Sequence, residues 1–296
     1  MRTLSLTVSE ELAGRRVRSL LRYRLQIPES MIASIKLREH GICLNGVRCR
    51  TTDTVNAGDV LTAEVGDLPA ESGIVPMEFP LEIRWEDEDL IVLEKPADMA
   101  THGRAQRGDV TVANALAFAR GTDSVFHPVT RLDRGTSGLM VAAKSGYAHE
   151  RLRKILHTDA FVREYLAIAE GRLPERIGSI TLPMKKDTDA KNRFCVSPDG
   201  MAARTDYEVL EQRGGLSLVR LRLFTGRTHQ IRVHLAALGA PLAGDRVYGT
   251  ESERISRPAL HSAALHLVQP IIGADINLTS PLPTDMEELW RSMKSK

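Results

Sequence analysis

The spacing of apolar and polar positions changes several times along the 296 residues, and those changes divide the chain. Over 12–25 and again over 31–40, apolar residues recur three and four apart, the period of a helix with one buried face. Pro28-Glu29-Ser30 separates the two stretches, with Ser30 placed to cap the second helix. From 41 to 65 the period shortens to two, and turns at Asn45-Gly46 and Gly58-Asp59 cut the segment into strands. Residues 67–78 hold two prolines, a glycine and three acids with no period, and read as a linker.

Beyond residue 79 the runs LEIRW and LIVLEK predict two strands paired around Glu86-Asp87-Glu88-Asp89. Further strands are predicted over 138–144, 165–170 and 216–224. Helices are predicted over 110–120, over 147–157 with Leu152, Ile155 and Leu156 inward, and over 228–238, where Gly239 and Pro241 stop the last. Thr284 and Glu287 have the spacing of a capping box opening a final helix that holds Trp290. Strands outnumber helices without regular alternation. The expected class is therefore α+β: a body over 79–296 with a large, mainly antiparallel or mixed sheet, preceded by a small α/β unit over 1–66.

Composition narrows the setting. Apolar residues make up 42% and charged residues 26%, ordinary for a globular chain. No apolar run approaches the roughly 20 residues that span a bilayer, and the N-terminal residues lack the apolar core of a signal peptide. Cys43, Cys49 and Cys195 are too few and too scattered for a disulfide framework or a zinc site. A reducing cytoplasm is the expected compartment and a monomer the default state. Charge changes the picture more. Residues 15–50 hold nine Lys/Arg against Glu29 and Glu39, a surplus of seven in a chain whose net charge is +2. Such asymmetry suits a small basic module that meets a polyanion.

Two polar strings carry candidate chemistry. HPVTRLDRGTSG, residues 127–138, runs into an apolar strand and sets Asp133 between Arg131 and Arg134, whose charges would hold it ionised. Alone, that pattern reads more simply as a structural ion pair. The second string, TGRTHQIRVH over 225–234, joins a strand to a helix on which His229 and Arg232 would share a face. His229 and His234 lie five apart with no acidic ligand near, which argues against a metal site.

These residues resemble two families. Two short helices, an N-G hairpin and a G-D turn before a last strand resemble the S4 RNA-binding domain over most of residues 14–66. Its RNA-facing helices would place Arg15, Arg16, Arg18, Lys36 and Arg38 against RNA. HPVTRLDRGTSGLMVAAKS with TGRTHQIRVHLAALGAPLAGDRVYG resembles the RluA-type pseudouridine synthases from about residue 81 to 261. The resemblance implies an RNA pseudouridine synthase that needs no cofactor or metal. It implies Asp133 as the catalytic carboxylate, Arg232 as its ion-pair partner and Tyr165 as the aromatic group that stacks on the base and aids proton transfer. Leu260 would be an aliphatic base contact, and Arg131, Arg134, Arg227 and His229 would bind substrate. The implied partner is structured RNA, ribosomal RNA foremost, with transfer RNA as the alternative. Asp98 stands where the family's K-P-x-G loop usually has glycine, a position an Asp can fill because it tolerates left-handed backbone. Arg163 stands where a lysine often precedes the tyrosine.

Two rivals stay open. One is a non-catalytic RNA-binding or ribosome-assembly factor, against which the intact Asp133, Tyr165 and Arg232 set counts. The other is a hydrolase of ribosyl bonds, which would use a second carboxylate, and none is expected in either string.

Overall fold

The computed structural model describes residues 1–67, 73–103, 109–121, 125–188, 190 and 193–293. The chain starts with a strand, β1 (Arg2–Thr7), that the sequence reading missed although its residues alternate between half-buried and exposed. Two helices follow, α1 (Val17–Tyr23) and α2 (Glu29–Ile35), then β2 (Ile42–Leu44), β3 (Val47–Arg48) and β4 (Val60–Val65). The four strands form an antiparallel sheet in the order β1-β4-β2-β3. Asn45 and Gly46 both have positive φ, 53° and 79°, as the N-G hairpin requires.

Both helices are shorter than the periodicity predicted. The first is preceded by a 3-10 turn over Glu10–Leu12 and a break at Gly14, whose φ of 76° is closed to most residues. The second starts at Glu29 behind an extended Pro28, so Ser30 lies inside the helix and caps nothing. It ends at Ile35 because the chain folds back onto itself there. A Cβ on Gly41 would lie 1.8 Å from the Ile35 carbonyl oxygen, an approach only glycine permits.

The body adds β5 (Glu82–Glu86), β6 (Leu90–Lys95), α3 (Val112–Arg120), β7 (His127–Pro128), β8 (Ser137–Ala143), α4 (Gly146–Ile155) and β9 (Phe161–Glu170). After these come β10 (Ile177–Ile180), β11 (Met184–Lys186), β12 (Phe194–Val196), β13 (Thr205–Arg213) and β14 (Leu216–Leu223). The chain closes with α5 (Gln230–Ala237), β15 (Leu260–Val268), β16 (Asp275–Thr279) and α6 (Thr284–Arg291). A ten-stranded mixed sheet runs β10-β13-β14-β9-β15-β8-β6-β5, with β16 beside β15 and β7 beside β8. The fold is α+β, as expected. Among the described strands only β15 and β8 pair in parallel. Gly138 makes that contact possible: its φ is 110°, and a Cβ there would lie 2.3 Å from the Ser262 carbonyl oxygen.

Both faces of this sheet are covered, which is why β8 is buried at every position. Met140 and Ala142 pack with Ile231 and Leu235 of α5 on one face, while Leu139, Val141 and Ala143 pack with Leu152 of α4 on the other. The final helix departs from its predicted start. Thr284 is already helical, and the amides of Met286 and Glu287 donate to the Pro283 carbonyl, so no capping box forms. Asp285 turns instead to Arg257, with contacts of 2.6 and 2.8 Å.

The N-terminal unit is seated on the body. Tyr147 of α4 is buried within the apolar cluster of α1 and α2, and its hydroxyl donates to the Leu25 carbonyl at 3.1 Å. Asp67 accepts from the Gly146 amide at 3.0 Å and pairs with His127 Nε2 at 2.7 Å. Residues 75–77 lie against α3, where Asn114 Nδ2 donates to the Val75 carbonyl at 2.7 Å.

Candidate active site

The loop bearing Asp133 is held by backbone and buried polar contacts. The amides of Val129 and Thr130 donate to the Val141 carbonyl, and the Val141 amide donates to Thr130 Oγ1. Thr136 closes a turn by donating to the Asp133 carbonyl at 3.0 Å. Thr101 Oγ1 donates to the Leu132 carbonyl at 3.0 Å. Lys95, wholly buried, donates to three carbonyls: Pro96 and Met99 at 2.7 Å and Arg134 at 3.2 Å. It therefore ties the 96–99 loop to the Asp133 loop. Burial, then the nearby Arg257, pushes Lys95 down to about 7. Asp98 has φ 62°, so the residue standing in place of glycine adopts the left-handed backbone anticipated for it.

Asp133 is partly exposed at the bottom of a cleft of about 350 Å³. A recess of about 50 Å³ opens from the same place, and Asp133, Tyr165, Arg131, Leu132, Leu223 and Arg227 border both. Leu260, Arg232 and His229 close the recess. The two strings are thus brought together, with Arg232 Nη1 at 3.5 Å and His229 Nε2 at 3.8 Å from Asp133 Oδ2. His229 reaches this point from outside the helix. Its φ of 59° places it in left-handed backbone just before α5, so the predicted shared helix face with Arg232 does not exist. Tyr165 projects from β9 and is buried; burial raises its phenol above the usual tyrosine value, so it is neutral at ordinary pH.

The arginines also have partners that the sequence reading did not expect. Arg232 makes its closest ion pair with Asp245, Nε to Oδ2 at 2.6 Å and Nη2 to Oδ1 at 2.8 Å. Burial disfavours its charge, but Asp245 and then Asp133 outweigh that and raise it above the ordinary arginine value. Asp245 is fully buried and also accepts from the amides of Val247 and Tyr248. Its side chain leaves one guanidinium nitrogen aimed at Asp133. The Tyr248 ring lies under Arg232, 5.0 Å from the guanidinium carbon, and its hydroxyl meets His229 Nδ1 at 2.8 Å. Burial pushes His229 down and leaves it neutral. Asp245 and Tyr248 were missed by the sequence reading, although GDRVYG closes the longer segment that carries the family resemblance. Neither string holds a second carboxylate, but Asp245 brings one to the site from beyond them, and its oxygens are occupied by Arg232 and two amides.

Arg134 turns away from Asp133 to pair with Asp109 at 2.5 Å, so the picture of Asp133 flanked by two arginines does not hold. Arg131 is exposed on the cleft rim, and Arg227 Nε donates to the Ala202 carbonyl at 3.2 Å. His234 is buried between Thr205 Oγ1 and the Leu182 carbonyl, a structural role. In the N-terminal unit Arg15, Arg16 and Lys36 are exposed, Arg18 pairs with Glu29, and Arg38 donates to the Gly66 carbonyl at 2.9 Å. Among the described residues no group of three His, Cys, Asp or Glu side chains is placed to hold a metal. None of their helices is long and apolar enough to cross a membrane.

A profile of the family described as RNA pseudouridylate synthase matches residues 89–237, which include Asp133, Tyr165 and Arg232. The chain belongs to the RNA pseudouridylate synthase family. It is 35% identical over 302 residues to an RNA pseudouridine synthase of Bacillus subtilis strain 168, YhcT, covering 98% of this chain and 97% of the relative. Against ribosomal large subunit pseudouridine synthase D of Escherichia coli K12 it is 33% identical over 318 residues, covering 99% and 94%. The solved structure of human RNA pseudouridylate synthase domain containing 1 superposes with a TM-score of 0.56 at 28% identity, over 68% of this chain and 83% of that one. The protein is accordingly an RNA pseudouridine synthase, an isomerase that acts on RNA.

Proposed function

We propose that this pseudouridine synthase isomerises particular uridines of large-subunit ribosomal RNA, with Asp133 as the catalytic carboxylate. The observation that carries the reading is the meeting of Asp133, Arg232, Tyr165 and Leu260 around one recess, supplied by four separate segments of chain. The reaction breaks the N1–C1′ bond, turns the uracil and joins C5 to C1′, with no change of oxidation state. Asp133 acts at the sugar, by attack on C1′ or by removal of a sugar proton. Arg232, aimed by Asp245, orients the carboxylate and stabilises its charge. Tyr165 and Leu260 hold the detached base between an aromatic ring and an aliphatic side chain. Because Tyr165 is a neutral phenol, it relays the C5 proton rather than acting as a standing phenolate.

The target uridine must leave its stack to enter, at a cost of a few kcal/mol. Arg131 and Arg227 at the cleft, with Arg134 and His229, supply substrate contacts that offset this cost. Residues 1–66 act as an S4-like RNA-binding domain through Arg15, Arg16, Arg18, Lys36 and Arg38, residues 67–78 as a linker and 79–296 as the catalytic domain. Arg18 and Arg38 serve less directly than the others, since Glu29 and Gly66 already hold them. The ribosomal target is supported by the relative in Escherichia coli, whose name specifies the large subunit. A ribosomal RNA target goes with work in the cytoplasm.

Tritium release from RNA labelled at uridine C5 tests the reading, because forming the C5–C1′ bond expels that hydrogen to water. Wild type should release tritium from large-subunit RNA and Asp133→Asn should not, while both bind the RNA equally. Release by the variant at the wild-type rate would remove Asp133 from the mechanism. Free uracil among the products would show a hydrolase instead.

A further inference from the structure

Three arginines are buried among the described residues, and two of them are fully partnered. Arg232 holds Asp245 through two nitrogens, and Arg257 holds Asp285 the same way while also donating to the Gly135 and Leu260 carbonyls. Arg163 is different. It is only 6% exposed, yet its Nε and Nη2 atoms are cut off from solvent with no hydrogen-bond partner. The ring of Phe161 lies 5.9 Å from the guanidinium carbon, and a desolvated cation–π contact is worth about 2 kcal/mol, less than the cost of the buried charge. Burial lowers its affinity for a proton, but an arginine stays charged in a protein. A buried cation without a counter-charge costs several kcal/mol, so the free protein keeps here a group that its own fold does not satisfy.

Its location says what could satisfy it. Arg163 stands two residues before Tyr165 on β9, so both side chains leave the same face of the strand. Both border the cleft of about 350 Å³ that holds Asp133. Nη1 lies under the turn at Gly226, 3.5 Å from where a Cβ would stand. His157 and Arg227 border the same cleft, and Arg163 and Arg227, after burial, are what push His157 down. This part of the wall therefore gathers cations and near-neutral groups around donors that lack an acceptor.

We propose that Arg163 forms the floor of an anion subsite that takes a backbone phosphodiester of the RNA beside the uridine held against Tyr165. The subsite rests on the assignment of the recess to uridine under Proposed function. A guanidinium fork matches two phosphate oxygens, and because Nε and Nη2 are closed off in the free protein, the Gly226 turn over the guanidinium shifts aside as the nucleotide enters the cleft and lets the phosphodiester reach them. The free energy of pairing Arg163 is then released on entry of the flipped nucleotide and helps to offset its unstacking.

The test uses full-length Arg163→Met and Arg163→Lys beside wild type. Each is measured by thermal melting of the free protein, by filter binding to a transcript of bacterial large-subunit ribosomal RNA over a salt series, and by tritium release. Arg163→Met should melt at or above the wild-type temperature, because it removes an uncompensated charge. Its RNA affinity should fall about tenfold to a hundredfold, the worth of charge-assisted hydrogen bonds. The slope of log affinity against log salt should become shallower by roughly 0.7 to 0.9, one phosphate contact. Arg163→Lys should keep the wild-type slope and recover part of the affinity. A lower melting temperature with an unchanged salt slope would make Arg163 a structural residue and overturn the subsite, and so would unchanged affinity and slope. Failure of both variants to fold would also overturn it, since a charge the fold leaves unpaired cannot be needed for folding. If wild type releases no tritium, the isomerase assignment fails on its own, while the salt slopes still report on Arg163.

Discussion

Replacing Asp245 tests whether the geometry of Arg232 is built by a residue that never touches substrate. Asp245 is fully buried and receives two nitrogens of Arg232 at 2.6 and 2.8 Å, with the Val247 amide at 3.0 Å. Removing one partner of such a pair strands the other charge and costs about 3–5 kcal/mol. For a chain of this size that corresponds to a fall in melting temperature of about 5–8 °C. Asp245→Asn should show this loss in urea unfolding, and Arg232→Met should show a comparable one. The double variant Asp245→Asn/Arg232→Met strands no charge, so it should be more stable than the sum of the single losses by at least about 2 kcal/mol. Salt should change the coupling little, because the pair is shielded from solvent. Asp245→Asn should also slow tritium release more than it weakens RNA binding, since Arg232 loses its aim at Asp133. Single losses that add to within about 0.5 kcal/mol in the double variant would refute the argument.

Three further outcomes are expected. Arg15→Gln/Arg16→Gln/Lys36→Gln should weaken ribosomal RNA binding and flatten its salt dependence by roughly 0.7 to 0.9 per lost phosphate contact, whereas an unchanged slope would leave the N-terminal unit without an RNA role. Substitution is preferable to deleting residues 1–66, which would uncover Tyr147. His261 is buried between Ser137 Oγ and Ser280 Oγ, each at 2.9 Å, and burial followed by Arg257 pushes it down from 6.5 to about 4. Between those values the unfolded chain binds more protons, so stability should fall as pH drops from 6.5 toward 4, by up to about 1.4 kcal/mol per pH unit. Urea titrations of His261→Gln should lack that component, and an identical acid slope would show that His261 does not carry it. Gly138→Ala should cost at least about 3 kcal/mol in the same assay, because its Cβ would lie 2.3 Å from the Ser262 carbonyl oxygen; a loss under 1 kcal/mol would mean that β8 and β15 separate easily.

The local chemistry of the site was legible along the chain because it sits in unbroken strings. HPVTRLDRGTSG and TGRTHQIRVH each run from one element into the next, and turn residues mark those joints whatever the rest of the fold does. The N-G hairpin and the left-handed Asp98 were readable for the same reason, since each depends on the backbone of one or two residues. Strand and helix periods likewise exposed the α+β class, because they record which face is buried.

They do not record what covers that face. Arg232 belongs to Asp245, Arg134 belongs to Asp109, and Arg163 has no hydrogen-bond partner for Nε or Nη2, yet all three look alike in the sequence. The difference arises where β9, the Asp133 loop and α5 meet across the ten-stranded sheet. Helix ends shifted for a related reason: Pro283 took the place of the predicted cap at Thr284 while Asp285 was drawn to Arg257, twenty-eight positions earlier. The sequence by itself determined which residues could do the chemistry and where the chain turns. Only the tertiary structure decided which charges are paired, because pairing depends on distances between segments far apart along the chain, and burial makes a missing partner costly.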